Sequence, residues 1–183
     1  MKIFVRVGAG LLSLGVGCAN LPAQAVTLSP HTVPSHQQNL IAAADQSALV
    51  AENRDLLIKN GDLARKIAAK LGVNLTKEIP TTGTPLEQNQ VLILQNQATF
   101  KAIAEKVGAV VPELASVEAA DIAEKNHKLL LQNKSVVVSI MTKLSIPLAP
   151  PPTLTGTFVD KNNTLLKGNA GALGKIAAKL SVT

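Results

Sequence analysis

The residues with the most pointed spacing in this chain are eight asparagines. Asn53, Asn89, Asn126 and Asn162 stand 36, 37 and 36 residues apart, and Asn60, Asn96, Asn133 and Asn169 repeat the same steps seven residues downstream. The chemistry a carboxamide offers is hydrogen bonding, and an unpaired buried amide costs about 1–3 kcal/mol, so these side chains are expected to find partners. Three uses fit: fixing the register of packed helices, as a lone core asparagine does in a coiled coil, lining a polar pocket for a small ligand, or capping half-helices. The expected role is the first, with Asn60, Asn96, Asn133 and Asn169 as a structural polar layer.

Other chemistry lacks its parts. There is no Gly-x-Ser-x-Gly elbow, no His-Glu-x-x-His helix, no cysteine nucleophile and no glycine-rich phosphate loop. A di-iron bundle needs two Glu-x-x-His ligand motifs, and only one, Glu124-Lys125-Asn126-His127, is present. His127 reads as a solvated surface histidine, and His31 and His36 offer at most a weak metal grip. The expectation is a protein that is not an enzyme and needs neither metal nor cofactor.

Composition narrows the partners. The formal net charge is +6, and the lysines are scattered among acids such as Glu52, Asp55, Glu105 and Glu124 with no basic run to follow a phosphate backbone, so no nucleic-acid partner is expected. Tyrosine and tryptophan are absent and phenylalanine occurs three times, which removes the stacking platforms that sugars and bases use.

Residues 1–25 read as a secretory signal peptide. Lys2 and Arg6 precede an apolar run from Val7 to Gly17, and Ala23-Gln24-Ala25 places small residues at a cleavage site. The run is about half of the ~20 residues a membrane-spanning helix needs. Export to the periplasm or the extracellular space is expected. Cys18, the single cysteine, follows Leu14-Gly15-Val16-Gly17, which resembles a bacterial lipobox with its leucine one place too far upstream. Lipidation at Cys18 would make the chain an outer-membrane-anchored lipoprotein and is the one route to a membrane. Cleavage after Ala25 would remove the thiol. Neither route leaves a disulfide, so stability must come from a packed core.

The elements that position the asparagines are four copies of one unit of about 36 residues. Leu56-Leu57-Ile58, Leu92-Ile93-Leu94, Leu129-Leu130-Leu131 and Leu165-Leu166 align without gaps, as do Ile67, Ile103, Ile140 and Ile176, and then Lys70, Lys106, Lys143 and Lys179. Within a unit the apolar residues recur by sevens, which keeps one face of a helix apolar and cannot keep one face of a strand. Thr84, Asp121 and Thr157 stand at helix starts with an acid three residues on. A 24-residue helix of about 36 Å followed by a loop of 12 or 13 residues is predicted in each unit. The fold class that follows is all-α: a four-helix bundle with up-down topology, helices near 40–71, 84–107, 121–144 and 157–180 in a repeat domain 38–183, and a flexible leader at 26–37. An antiparallel arrangement would bring the four mid-helix asparagines to one central layer.

Gly61, Gly168, Gly171 and Gly174 fall mid-helix, where each costs about 1 kcal/mol relative to alanine. Two alternatives stay open on that ground. One is a helix-turn-helix solenoid broken at the asparagines. The other is an α+β unit. Asn60-Gly61-Asp62-Leu63 followed by Ile67-Ala68-Ala69-Lys70-Leu71-Gly72-Val73, with Asn89-Gln90-Val91-Leu92-Ile93 closing, resembles the LysM peptidoglycan-binding module. That resemblance implies a strand-turn-helix repeat and peptidoglycan as partner.

The functional expectation is an exported, non-enzymatic cell-envelope protein with a structural or protein-binding role, acting on a protein partner or by self-association. A peptidoglycan-binding module is one alternative. A carrier holding a small ligand within the helical bundle is another.

Overall fold

In the computed structural model of the chain, residues 35–182 are described, those from 43 to 182 with their side chains. They form four helices: α1 (Ser35–Lys70), α2 (Pro85–Val107), α3 (Ile122–Lys143) and α4 (Phe158–Lys179). The expected signal peptide, Cys18 and the leader up to residue 34 lie outside the described residues. The last residues of that expected leader are helical, since α1 starts at Ser35.

The starts follow from side-chain capping. Thr84 and Thr157 accept from the backbone N–H of Glu87 and Asp160, whose carboxylates return the bond to the cap residue, and Asp121 accepts from the Glu124 N–H. The ends share a second device. Gly72, Gly108, Ser145 and Ser181 adopt positive φ just beyond each helix. The next residue then bonds back five positions, Val73 to the Ala68 carbonyl, Ala109 to Ala104, Ile146 to Met141 and Val182 to Ala177. Glycine takes this left-handed conformation freely, whereas the two serines are held in it.

The helices close into a ring in chain order. α1 packs on α2 and α4, α3 packs on α2 and α4, and the diagonal pairs are held apart. Their direction is fixed by which residues meet. Leu57, Ile93, Leu130 and Leu166 make one apolar cluster. Ile67, Ile103, Ile140 and Ile176, each ten residues further along its own helix, make another with Phe100, Val136 and Leu173. All four helices therefore run parallel, and the expected up-down topology is overturned.

The loops explain how. Residues 71–84, 108–121 and 144–157 connect the helices, and α2, α3 and α4 have 22 or 23 residues each. Fourteen extended residues reach about 46 Å, more than the ~33 Å needed to return to the starting end. They run back along the outside of the ring. Val73, Val111, Leu114 and Ile146 pack on the C-terminal cluster, while Val117 and Leu154 pack on the N-terminal one. Arg54 donates to the Pro80 carbonyl and Gln132 to the Ala115 carbonyl, tying the first two loops to helices.

Both alternative unit structures fail on the same observation. Each helix passes without a break through its central asparagine, and there is no strand among the described residues. The segment that resembles LysM, Asn60-Gly61-Asp62-Leu63, is interior helix in α1 rather than a turn. Among the described residues no helix is long and apolar enough to cross a membrane.

Parallel helices align their dipoles, gathering the positive ends of α2, α3 and α4 at one end of the ring and the negative ends of all four helices at the other. First-turn acids Glu87, Glu124 and Asp160 face the positive end, and Lys70, Lys106, Lys143 and Lys179 occupy the last turns at the negative end. The Thr84 backbone N–H and hydroxyl hold the Glu87 carboxyl below its usual range. Lys128 and the Ala120 N–H do so for Glu124, and Thr157 for Asp160.

Candidate functional site

The asparagines form two layers, because in a parallel ring every aligned position faces its own counterparts. All eight are between 1 and 5 % exposed. In the central layer Asn60 Nδ2 donates to the Leu166 carbonyl at 3.0 Å, Asn96 to Leu57 at 2.9 Å and Asn133 to Ile93 at 3.0 Å. In the layer nearer the helix starts Asn53 donates to Val159, Asn89 to Val50, Asn126 to Leu86 and Asn162 to Ala123. Every donor reaches the carbonyl three residues before the aligned asparagine of the neighbouring helix. The bonds all point one way around the ring, from each helix to the one before it and from α1 to α4.

Such a bond fixes the axial offset of two helices. The accepting carbonyl also serves its own helix, so the contact adds a second donor to an oxygen with two lone pairs. A net value near 1 kcal/mol per bond is ordinary. The Oδ1 atoms of Asn89, Asn126 and Asn133 are buried with no partner among the described residues. The axial space enclosed by Asn53, Asn89, Asn126 and Asn162 and the leucines below is a cavity of about 10 Å³, near the lower limit for one water.

One asparagine has a special neighbour. A Cβ on Gly61 would collide with Asn96 Oδ1, so the absent side chain in α1 makes room for the carboxamide of α2. The corresponding positions on the other helices are Gln97, Lys134 and Ala170.

His127 departs from the solvated position expected for it. The ring is half-buried, its Nδ1 lies 3.0 Å from Asn162 Oδ1, and it packs on Phe158 with centroids 5.5 Å apart. Lys161 Nζ sits 5.2 Å from the centre of the Phe158 ring. Among the described residues no three His, Cys, Asp or Glu side chains gather closely enough to hold a metal ion.

The ladder weakens at one seam. Between α4 and α3 the outer bond stretches to 3.4 Å, and Asn169 makes no hydrogen bond across to α3 among the described residues. A cleft of about 460 Å³ opens on the outside of this seam, walled by Val137 and Met141 of α3, Gly168 and Gly171 of α4, and the loop residues Leu148 to Pro152. Asn169 also borders it. The sequence reading noted these glycines only as a threat to the helix and missed the cleft. Their spacing, three residues apart on one helical face, was the available signal.

Comparison with protein-family models, with curated proteins and with solved structures finds no match to the chain.

Proposed function

We propose that the chain is an exported, non-enzymatic protein of the cell envelope that works by protein contact, with a partner or with a second copy of itself. The observation that carries this reading is an apolar stripe on α2. Val91 and Leu94 are 43 and 45 % exposed, and with Ala98 they occupy one helical face at spacings of three and four. That spacing is the seam of helix–helix association. Leu131 of α3, aligned with Leu94, is also 38 % exposed. The ring behind the stripe is held by two hydrogen-bonded layers and two apolar clusters, which suits a scaffold that presents a fixed surface.

Sedimentation of the mature chain, alone and with envelope extract, tests the idea against Val91→Lys combined with Leu94→Lys. Association that the double variant abolishes, while its melting is unchanged, is the expected result. A wild-type chain that is monomeric and retains nothing from extract would overturn it.

A small-ligand carrier is the second reading, supported by the cleft at the α3–α4 seam. The ligand would then lie outside the helical ring rather than within it.

A further inference from the structure

The α3–α4 cleft has a chemical character of its own, and it rests on the carrier reading. Its volume of about 460 Å³ lies within the ~300–1,000 Å³ range of small-molecule sites. The walls are almost wholly apolar carbon. Val137 and Met141 are buried core residues whose edges reach the cleft, and Leu148 is half-exposed with nothing packed over it.

The cleft exists because three substitutions coincide there. Gly168 stands where the other helices carry Lys59, Gln95 and Gln132, and Gly171 where they carry Asp62, Ala98 and Ser135. Gln132 holds the second loop through the Ala115 carbonyl, and Asp62 holds the first through Lys77. On α4 the glycines offer no such hold, and a Cβ at Gly168 or Gly171 would meet nothing within 4 Å. The third loop crosses here as Pro150-Pro151-Pro152, three residues without a backbone N–H. Among the described residues no side-chain hydrogen bond joins residues 147–156 to a helix. The loop thus bridges over the gap and does not fill it.

The charge at the rim has one sign. Lys134, Lys167 and Lys175 border the cleft, and among the described residues no aspartate or glutamate does. Lys167 pairs with Glu52 at 3.0 Å, whereas Lys134 and Lys175 have no ion pair among the described residues.

We infer that this cleft binds a lipophilic anion with a single unbranched chain, of the fatty-carboxylate class. The chain lies along Val137, Met141 and the glycine face of α4, and the carboxylate meets Lys134 or Lys175. A flat aromatic ligand fits less well, since no aromatic residue lines the cleft.

Calorimetric titration of the mature chain with dodecanoate, dodecanol and dodecyltrimethylammonium, each below its micelle concentration, provides the test. One dodecanoate per chain is expected, with dodecanol weaker and the cation weakest. Lys134→Gln with Lys175→Gln should weaken dodecanoate by roughly fivefold, as expected for exposed ion pairs, and leave dodecanol unchanged. Gly168→Leu with Gly171→Leu should abolish binding of both without lowering the melting temperature. Equal affinity for dodecanoate and dodecanol would overturn the anion preference while leaving a carrier in place. Absence of binding by all three ligands would overturn the carrier reading together with the inference. Dodecanoate binding that survives the glycine replacements would place the site elsewhere and refute the assignment to this cleft.

Discussion

Replacing Gly61 by alanine sets two effects of opposite sign against each other. In the interior of a helix, glycine to alanine is worth about 1 kcal/mol of stabilisation. At Gly61, however, the new Cβ would collide with Asn96 Oδ1. The Asn96 carboxamide must then swing away and give up its 2.9 Å bond to the Leu57 carbonyl. That bond contributes about 1 kcal/mol, and a buried amide left unsatisfied costs a further ~1–3 kcal/mol. With Asn96 only 3 % exposed, water is a poor substitute partner. The net expectation is destabilisation by roughly 1–3 kcal/mol. Gly168→Ala is the internal control, because a Cβ there meets nothing within 4 Å, and it should stabilise by about 1 kcal/mol. Urea unfolding of the mature protein measures both. A double-mutant cycle completes the experiment: in an Asn96→Ala background the obstacle is gone, so Gly61→Ala should change sign and stabilise. If Gly61→Ala stabilises the wild-type chain as much as Gly168→Ala does, the reasoning about the asparagine layer fails.

Other consequences are equally direct. Ser145 and Ser181 carry φ of 55° and 53°, so Ser145→Gly and Ser181→Gly should each raise stability by roughly 0.5–1 kcal/mol in the same unfolding assay. Spin labels at Lys70→Cys and Lys106→Cys, in adjacent parallel helices, should report one short interlabel distance, whereas antiparallel helices would separate them by about the ~33 Å helix length. The Glu87, Glu124 and Asp160 carboxyls lie below their ordinary values of 4.5 and 3.8, so their contribution is complete above those values and is lost as pH falls through the depressed ones. Melting temperature should therefore be insensitive to these groups from pH 7 to 5 and fall at more acid pH, and Glu87→Gln should flatten part of that fall.

The helices were legible because their signals are local. Thr84, Asp121 and Thr157 with their third-residue acids cap the starts, and the sevenfold apolar recurrence identifies the buried face. The partners of the asparagines were legible in kind, since a buried carboxamide must bond to something. Helix direction is a non-local property, and the expectation of antiparallel neighbours came from treating each connection as a simple reversal. Evidence against it was already present in the columns. In an antiparallel pair, residues near the start of one helix face residues near the end of the next, so only a mid-helix position meets its own counterpart. Asn53, Asn89, Asn126 and Asn162 lie seven residues from the centre, yet they are as regular as Asn60, Asn96, Asn133 and Asn169. Two self-matched layers at different heights require parallel helices. The cleft was less legible, because its walls come from α3, α4 and a proline-rich loop whose path depends on that direction.

The ring and the cleft also bear differently on function. Three of the four seams are closed by the same parts: an asparagine bond from each layer, and for the two seams crossed by the first and second loops a side chain that holds the loop. The α3–α4 seam lacks the central bond, carries glycine where the loop anchors would stand, and is crossed by three consecutive prolines. Each change removes stabilisation that the other seams retain, and helix-interior glycines at 168, 171 and 174 together forgo about 3 kcal/mol relative to alanine. Alanine would fit sterically at all three positions. A requirement of packing therefore does not account for the glycines, whereas the proposed ligand in the cleft gives a reason for Gly168 and Gly171. Among the four seams, this departure is the one the carrier proposal explains.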